Sequence, residues 1–503
     1  MSDASNPNFA SLLWRRAAER PGHVAIAERD TVTTYAQLKA RAGAVAARLA
    51  AASVRPGDRV AIFLERGPEE AAVYFGTLAA GAVVIAMADT LRPRQMEHVL
   101  HHSGARALLT TRDMLSRLPR TPEGPGTQTL LLDELVDGEQ LDTPVPRVGR
   151  DVAQIIYTSG STGLPKGVTL CHDNISTVTR IVVSYLELKP EDRIASLMPF
   201  SYVYGLNQLF CVVGIGATLV VERSPLERSI VDTLRKQRVT VLACVPPLWL
   251  RLLDTPSFRD QPLPDLRILT NAGGRLPPSA VQRLRQAQPH ARLFLMYGMT
   301  ETLRGTYLDP TDVDRHPDSM GKAIPESEIM VLREDGTPCG PDEVGELVQR
   351  GPTVALGYWN DPEATARVFR PNPLRPPGTP DAERVVFSGD MVRRDAEGFL
   401  YHHGRADRMF KTLGYRVSPD EITDVLYASG RVREAIIVPE QDDVRGTKIV
   451  AHVSLLNGSS LDQLVAFCKL ELPRHMQPVR YQVWPELPRN PNGKHDMAAL
   501  TAR

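Results

Sequence analysis

One segment limits this chain more than any other: Ile155-Ile156-Tyr157-Thr158-Ser159-Gly160-Ser161-Thr162-Gly163-Leu164-Pro165-Lys166-Gly167-Val168. An apolar strand runs into a loop holding three glycines, two serines, two threonines and one lysine. Glycines let backbone N–H groups curl around an anion, hydroxyls donate to its oxygens, and lysine adds charge. A polyphosphate needs that combination. The ordinary P-loop is excluded, because it requires Gly-Lys-Ser/Thr, whereas Lys166 follows a proline and precedes a glycine. A flexible linker is the plain alternative, but linkers rarely follow an apolar strand directly or carry Pro-Lys-Gly.

With 503 residues there is room for two or three domains, and 42% hydrophobic against 23% charged residues is enough apolar material for large cores. The formal net charge of +0 offers no global field to nucleic acid or acidic membranes, and no local basic patch stands out. Cys171, Cys211, Cys244, Cys339 and Cys468 are scattered and odd in number, which excludes a disulfide framework and a cysteine-rich zinc site and suits a reducing, cytoplasmic setting. The first residues place polar before basic ones, the wrong order for a secretory signal. The longest apolar run, Leu209 to Val221, has 13 residues against the roughly 20 a bilayer requires, so it is expected to be a buried strand or helix and not a membrane insertion. Lysines number 9 against 50 arginines, so each lysine kept in a motif is conspicuous.

Along the chain, residues 10–52 read as a helix, a short strand pair and a second helix. Pro56-Gly57-Asp58 is a turn; a strand at Arg59 to Leu64, a helix at Pro68 to Ala80 and a strand at Ala82 to Ala86 follow. Such alternation predicts an α/β architecture of mainly parallel sheets covered by helices. The proline-rich stretch after Arg370 reads as a surface loop. Beyond Gly404-Arg405-Ala406-Asp407 the pattern changes to helix 419–429, strand 433–439, strand 448–456 and helix 460–472, a compact α+β unit. The expected division is therefore a large N-terminal body, 1–406, and a small C-terminal lid, 407–503, hinged at Asp407.

The segment YTSGSTGLPKGV resembles the phosphate-binding signature of the AMP-forming adenylating superfamily, which includes acyl-CoA synthetases, peptide-synthetase adenylation domains and luciferases. Further matches follow in the family's order. Asn271-Ala272-Gly273-Gly274-Arg275-Leu276 resembles the loop along the adenine, and Met296-Tyr297-Gly298-Met299-Thr300-Glu301 the Y-G-x-T-E motif. The resemblance implies that Tyr297 stacks on adenine, Thr300 donates to the α-phosphate and Glu301 ligates Mg²⁺ as a hard oxygen donor. Ser388-Gly389-Asp390 is similar to the motif whose aspartate accepts both ribose hydroxyls, and Arg405 and Asp407 fall in the hinge signature. The stretch from Phe410 to Ile422, with Lys411 and Gly414, resembles the wall of the thiol tunnel. Pro488 to Lys494 resembles the terminal P-x-x-x-N-G-K motif, whose lysine serves only the first half-reaction.

The implied activity is ATP-dependent conversion of a carboxylic acid to acyl-AMP, then transfer to the thiol of CoA or of a phosphopantetheinyl carrier protein. The implied small C-terminal domain is mobile. Aligned with relatives, Tyr202, Val203, Asn207, Cys244, Met296, Arg304 and Gly305 should line the acid pocket. Amino-acid-activating domains carry aspartate at the position of Val203, and a valine cannot pair with an α-ammonium. A stand-alone amino-acid adenylation enzyme is thus the second reading. Arg304 could pair with a second carboxylate on the substrate or with an internal acid such as Glu301. The stretches TETLRGTYLDPTDVDRHPDSMGKAIP and MFKTLGYRVSPDEI look most like bacterial exosortase-associated acyl-CoA ligases and stand-alone carrier-protein ligases. No carrier module follows Lys494, so any carrier is expected to be a separate protein. A non-catalytic adenylate-binding homologue is the reading of another class. Against it stand Lys166, Glu301, Asp390, Asp407 and Lys494, all present.

Overall fold

A computed structural model describes the chain except residues 1–5, 92, 135–139, 159–164, 377, 380–382, 407–409, 413–414, 443–445, 491–494 and 502–503. Ser159, Gly160, Ser161, Thr162, Gly163, Asp407, Gly414 and Lys494 therefore lie outside the described residues.

The N-terminal pattern folds as its periodicity dictates. Helix Ser11–Glu19 is followed by the strand pair Val24–Glu28 and Thr31–Thr34 and by helix Tyr35–Ala51. That helix starts at a capping box, with Thr34 Oγ1 accepting from the Gln37 N–H and Gln37 Oε1 accepting from the Thr34 N–H. Two large sheets then form. In one, parallel strands lie in the spatial order Val24–Glu28, Thr218–Val221, Arg193–Ser196, Val241–Cys244, Ile268–Asn271, Arg292–Tyr297, with antiparallel strands at both edges, nine strands in all. The other has seven strands, parallel except at the edge where Lys166–Cys171 joins Val152–Thr158.

Strand alternation sorts side chains between layers. Val60 and Ile62 enter the main core between the sheets, whereas Ala61 and Phe63 pack on the outer face. Likewise Val241 and Ala243 face the main core, while Leu242 and Cys244 face the outer layer around Trp249 and Phe258.

The run Leu209 to Val221 is neither one strand nor one helix. Helix Val203–Ile215 ends at Gly216, whose φ of 78° only glycine adopts readily, and strand Thr218–Val221 follows. A third sheet of five strands is wholly antiparallel and departs from the strand–helix alternation. Strands Arg384–Arg394 and Leu400–Arg405 belong to it. The C-terminal pattern folds as helix Pro419–Ala428, strands Val432–Asp442 and Gly446–Leu455 and helix Leu461–Glu471, around a core of its own that includes Ile422, Leu426, Val453 and Leu464. Lys411 sits on the short strand Phe410–Thr412, paired with Tyr415–Val417. All five cysteines are unbridged and buried. Among the described residues no helix is long and apolar enough to cross a membrane.

Candidate active site

Strands Val152–Thr158, Ile268–Asn271 and Arg292–Tyr297 come from different sheets or neighbouring positions, yet their C-terminal ends border one cavity of ≈ 500 Å³. Ligand crevices in α/β proteins form at such ends, because the loops leaving the strands are free to carry function. Thr158 and Lys166 are cross-strand partners, so the strands on either side of residues 159–164 pair antiparallel, and a strand, not a helix, begins at Lys166. This is the structural difference from a P-loop. Lys166 places its ammonium 5.5 Å from the Tyr358 ring centroid, and the Tyr358 hydroxyl donates to Glu301 Oε1 at 2.6 Å. Burial, then Glu301, pushes the Tyr358 phenol far above its ordinary value, so it stays a donor. Glu301 keeps its second oxygen and borders the cavity beside Thr300.

The turn after Ile268–Asn271 is shaped by Asn271, whose Nδ2 donates to Gly274 O at 3.0 Å. Gly273 has φ 80°, and a Cβ there would stand 2.6 Å from the Tyr202 hydroxyl oxygen. Only glycine leaves a flat wall at this place. Arg275, from the same loop, pairs with Asp424 on helix Pro419–Ala428 and so ties the loop to the C-terminal unit.

Asp390 stands where Gly389, at φ 72°, bends its strand, and its own N–H donates to Ser388 Oγ at 3.0 Å. In the antiparallel register Asp390 faces Arg405, whose Nη1 lies 3.4 Å from Asp390 Oδ1. The Tyr297 hydroxyl donates to Asp390 Oδ2. His402 completes the group: its Nε2 is 3.6 Å from Asp390 Oδ1 and its Nδ1 is 3.5 Å from Asp420 Oδ2 on the C-terminal unit. Burial opposes the charge on Asp390, yet His402, Tyr297 and Arg405 hold its carboxyl below the usual carboxylate range. Burial also opposes a charged His402, but the two aspartates push it up to about 9.

His402 is thus a cation at neutral pH that bridges the two parts of the chain. A raised pKa contributes stability in full below the unfolded value and loses it as pH rises through the folded value. Wild type is therefore expected to melt higher than His402→Gln between pH 6 and 8, with the gap closing above about pH 9. Thermal unfolding of both proteins across this range checks it; a pH-independent gap would contradict the bridge.

Of the residues singled out in the sequence, Thr158, Tyr202, Val203, Gly273, Gly274, Arg275, Met296, Tyr297, Gly298, Thr300, Glu301, Arg304, Asp390 and Arg405 border this cavity. Three expected pocket residues do not. Cys244 points into the outer layer by strand alternation. Asn207 is buried on helix Val203–Ile215, where its Oδ1 accepts from Arg304 Nη2 at 3.3 Å. Gly305 is packed under Tyr297, where an added Cβ would press on that ring at 3.1 Å. The expected alternative of an Arg304–Glu301 pair is not formed. Sequence reasoning missed His402 and Tyr358. The His402-His403 doublet just before Gly404-Arg405 was a usable signal, whereas nothing local marks Tyr358.

Mg²⁺ takes one or two carboxylates and leaves its other positions to water and phosphate oxygens. Glu301, with one oxygen uncommitted beside Thr300, fits that requirement; no cluster of three acidic, histidine or cysteine ligands occurs among the described residues.

The family described as AMP-binding enzyme matches residues 13–359, and the AMP-binding enzyme C-terminal domain matches residues 421–494. The chain belongs to the AMP-binding enzyme family. It is similar to novobiocin biosynthesis protein H of Streptomyces niveus, 31% identical, covering 97% of this chain and 81% of that protein. It is also 31% identical to a stretch of a linear gramicidin synthase of Brevibacillus parabrevis, over 97% of this chain. The chain spans only 6% of that synthase polypeptide's length, and 10% of a second linear gramicidin synthase polypeptide from the same organism. Its fold matches o-succinylbenzoate CoA synthetase of Bacillus subtilis bound to its acyl-adenylate, with TM-score 0.85, 27% identity and 98% of each chain covered. A benzoate CoA ligase of Burkholderia xenovorans LB400 matches with TM-score 0.87 and 27% identity, over 98% of this chain and 99% of that one.

Proposed function

We propose that this chain activates a carboxylic acid with ATP to form acyl-AMP and pyrophosphate, then transfers the acyl group to the thiol of CoA or of a carrier's phosphopantetheine, the thioester bond forming as the bond to AMP breaks and AMP leaves. The observation that carries this reading is one cavity lined by three chemically distinct groups of residues. Tyr297, Asp390 and Arg405 suit a nucleoside, Thr158, Thr300 and Glu301 suit phosphates, and Tyr202, Val203, Met296 and Arg304 suit an organic acid.

A carboxylate resists substitution because attack would expel oxide. In the proposed step a substrate carboxylate oxygen bonds to the α-phosphorus, and the bond to the departing pyrophosphate breaks. Both partners are anionic, so the site works by holding them together and offsetting charge. Asp390 accepts from the ribose hydroxyls, Tyr297 and the Gly273-Gly274 wall hold the base, and Thr300 donates to the α-phosphate. Lys166 and the 158–167 loop hold the outer phosphates, and Lys494 joins carboxylate to phosphate by position and charge. Bound at Glu301, Mg²⁺ would add positive charge against the phosphate oxygens.

Transfer to the thiol then follows rotation of the C-terminal unit about Asp407, which withdraws Lys494 and presents the Lys411–Gly414 face. The Arg275–Asp424 and His402–Asp420 contacts are the ones such a rotation would have to break. The resemblance to exosortase-associated and carrier-loading ligases supports a thiol acceptor. Val203, with no carboxylate to meet an α-ammonium, weighs against an ordinary amino acid. The test is ATP–pyrophosphate exchange across a panel of carboxylic and amino acids, followed by thioester formation with CoA and with a phosphopantetheinyl carrier. Acid-dependent exchange is expected. No exchange with any acid, despite ATP binding, would favour a non-catalytic homologue.

A further inference from the structure

Among the described residues, nothing balances one charge that borders the cavity. Arg304 is only 5% exposed and borders the cavity. Its Nη1 donates to Leu303 O at 3.0 Å, its Nη2 to Asn207 Oδ1 at 3.3 Å, and its Nε has no partner. The guanidinium carbon lies 5.1 Å from the Tyr204 ring centroid. Every one of these contacts is to a neutral group.

Among the described residues none forms an ion pair with Arg304. Glu301, the acid nearest in sequence, is engaged by Tyr358. Phenols and a thiol surround Arg304. Burial pushes Tyr185 and Cys211 up to about 12 and raises Tyr202 and Tyr204 as well, so all four are neutral at ordinary pH. An uncompensated buried cation is costly, and such groups persist where a ligand supplies the missing charge. The preceding residue adds a second sign of a built site: Leu303 holds φ 60°, a left-handed conformation that a branched side chain rarely adopts.

We propose that the acid activated here bears a second acidic group, a dicarboxylic acid whose distal carboxylate pairs with the planar fork of Arg304. This rests on the acid-adenylating reading and names its substrate class. An α-ammonium would meet repulsion at the same place.

The test uses stable acyl-sulfamoyl adenosines, made from linear diacids from succinic to suberic and from their half methyl esters. Affinities for wild type, Arg304→Met and Arg304→Lys are measured by calorimetry, which needs no turnover. For at least one chain length the free acid is expected to bind wild type roughly 10²-fold tighter than its ester, because a site built for a polar partner rejects the analogue lacking it. Arg304→Met should abolish that preference while leaving ester binding within a few-fold, and Arg304→Lys should restore part of it. Arg304→Met should also melt no lower than wild type, since it removes an unbalanced buried charge. Equal binding of acid and ester by wild type at every length would overturn the pairing, as would a preference that survives in Arg304→Met, or a lowered melting point without a change in preference. Failure of every compound to bind would instead overturn the acid-adenylating reading, and the pairing with it.

Discussion

Replacing Lys494 with alanine is expected to slow acyl-adenylate formation by roughly 10²-fold or more, the scale on which enzymes lose a preorganised charge at a reacting centre. The cavity's own cations show why. Arg275 is held by Asp424, Arg405 and His402 face Asp390, and Arg304 contacts Asn207, while Lys166, outside the lining, sits over Tyr358. None of these stands between the attacking carboxylate and the α-phosphate in the proposed arrangement. Lys494 is proposed to fill that place, and an alanine would leave the two anions without a cation between them. Thioester formation from supplied acyl-adenylate should survive the substitution, because by then Lys494 has been withdrawn. Single-turnover assays of the two half-reactions separate these outcomes. An equal loss in both would mean that Lys494 stays in place throughout, and that the C-terminal unit does not work in two positions.

Asp390→Asn should weaken nucleotide binding by about 10- to 10²-fold. Two hydrogen bonds from ribose to a carboxylate are each worth about 1.5–3 kcal/mol, and the amide keeps only one acceptor. The loss should appear as a raised KM for ATP in pyrophosphate exchange and as weaker ATP binding by calorimetry, with a smaller change in the saturated rate. A second effect follows from the bridge. His402 would keep Asp420 but lose Asp390, so its pKa should fall from about 9, and the pH at which the C-terminal unit loosens should fall with it. A nucleotide affinity unchanged by this substitution would place the ribose elsewhere and remove the basis for the site.

Much of the site was legible because its parts are short and chemically specialised. Thr158, Gly273-Gly274, Tyr297 to Glu301 and Asp390 stand out by residue type and local spacing and border one cavity, and Gly273 and Gly389 mark turns of positive φ that favour glycine. The α+β unit from residue 419 to 472 was equally plain, since period-3.6 and period-2 patterns alternate there, but strand Arg480–Val483, which joins its sheet, lies in a polar stretch that reads as a tail. Other features were hidden. The antiparallel sheet that carries Asp390 reads locally like any set of strands, and its pairing with Tyr297 spans 93 residues. Cys244 is placed by alignment at the pocket, yet one step of strand alternation turns it to the opposite layer.

What the amino-acid order determined alone was the inventory: most of the helices and strands, and the short segments proposed to receive phosphate, base, ribose or metal. These follow from backbone preferences and side-chain chemistry acting over a few residues. Tertiary structure decided the rest. It set His402 between Asp390 and Asp420, gave Tyr358 to Glu301, and left Arg304 without a carboxylate among the described residues. Charge balance in a buried site depends on which distant side chains arrive together, and electrostatic energy in a dry interior is determined by that arrival and not by proximity along the chain.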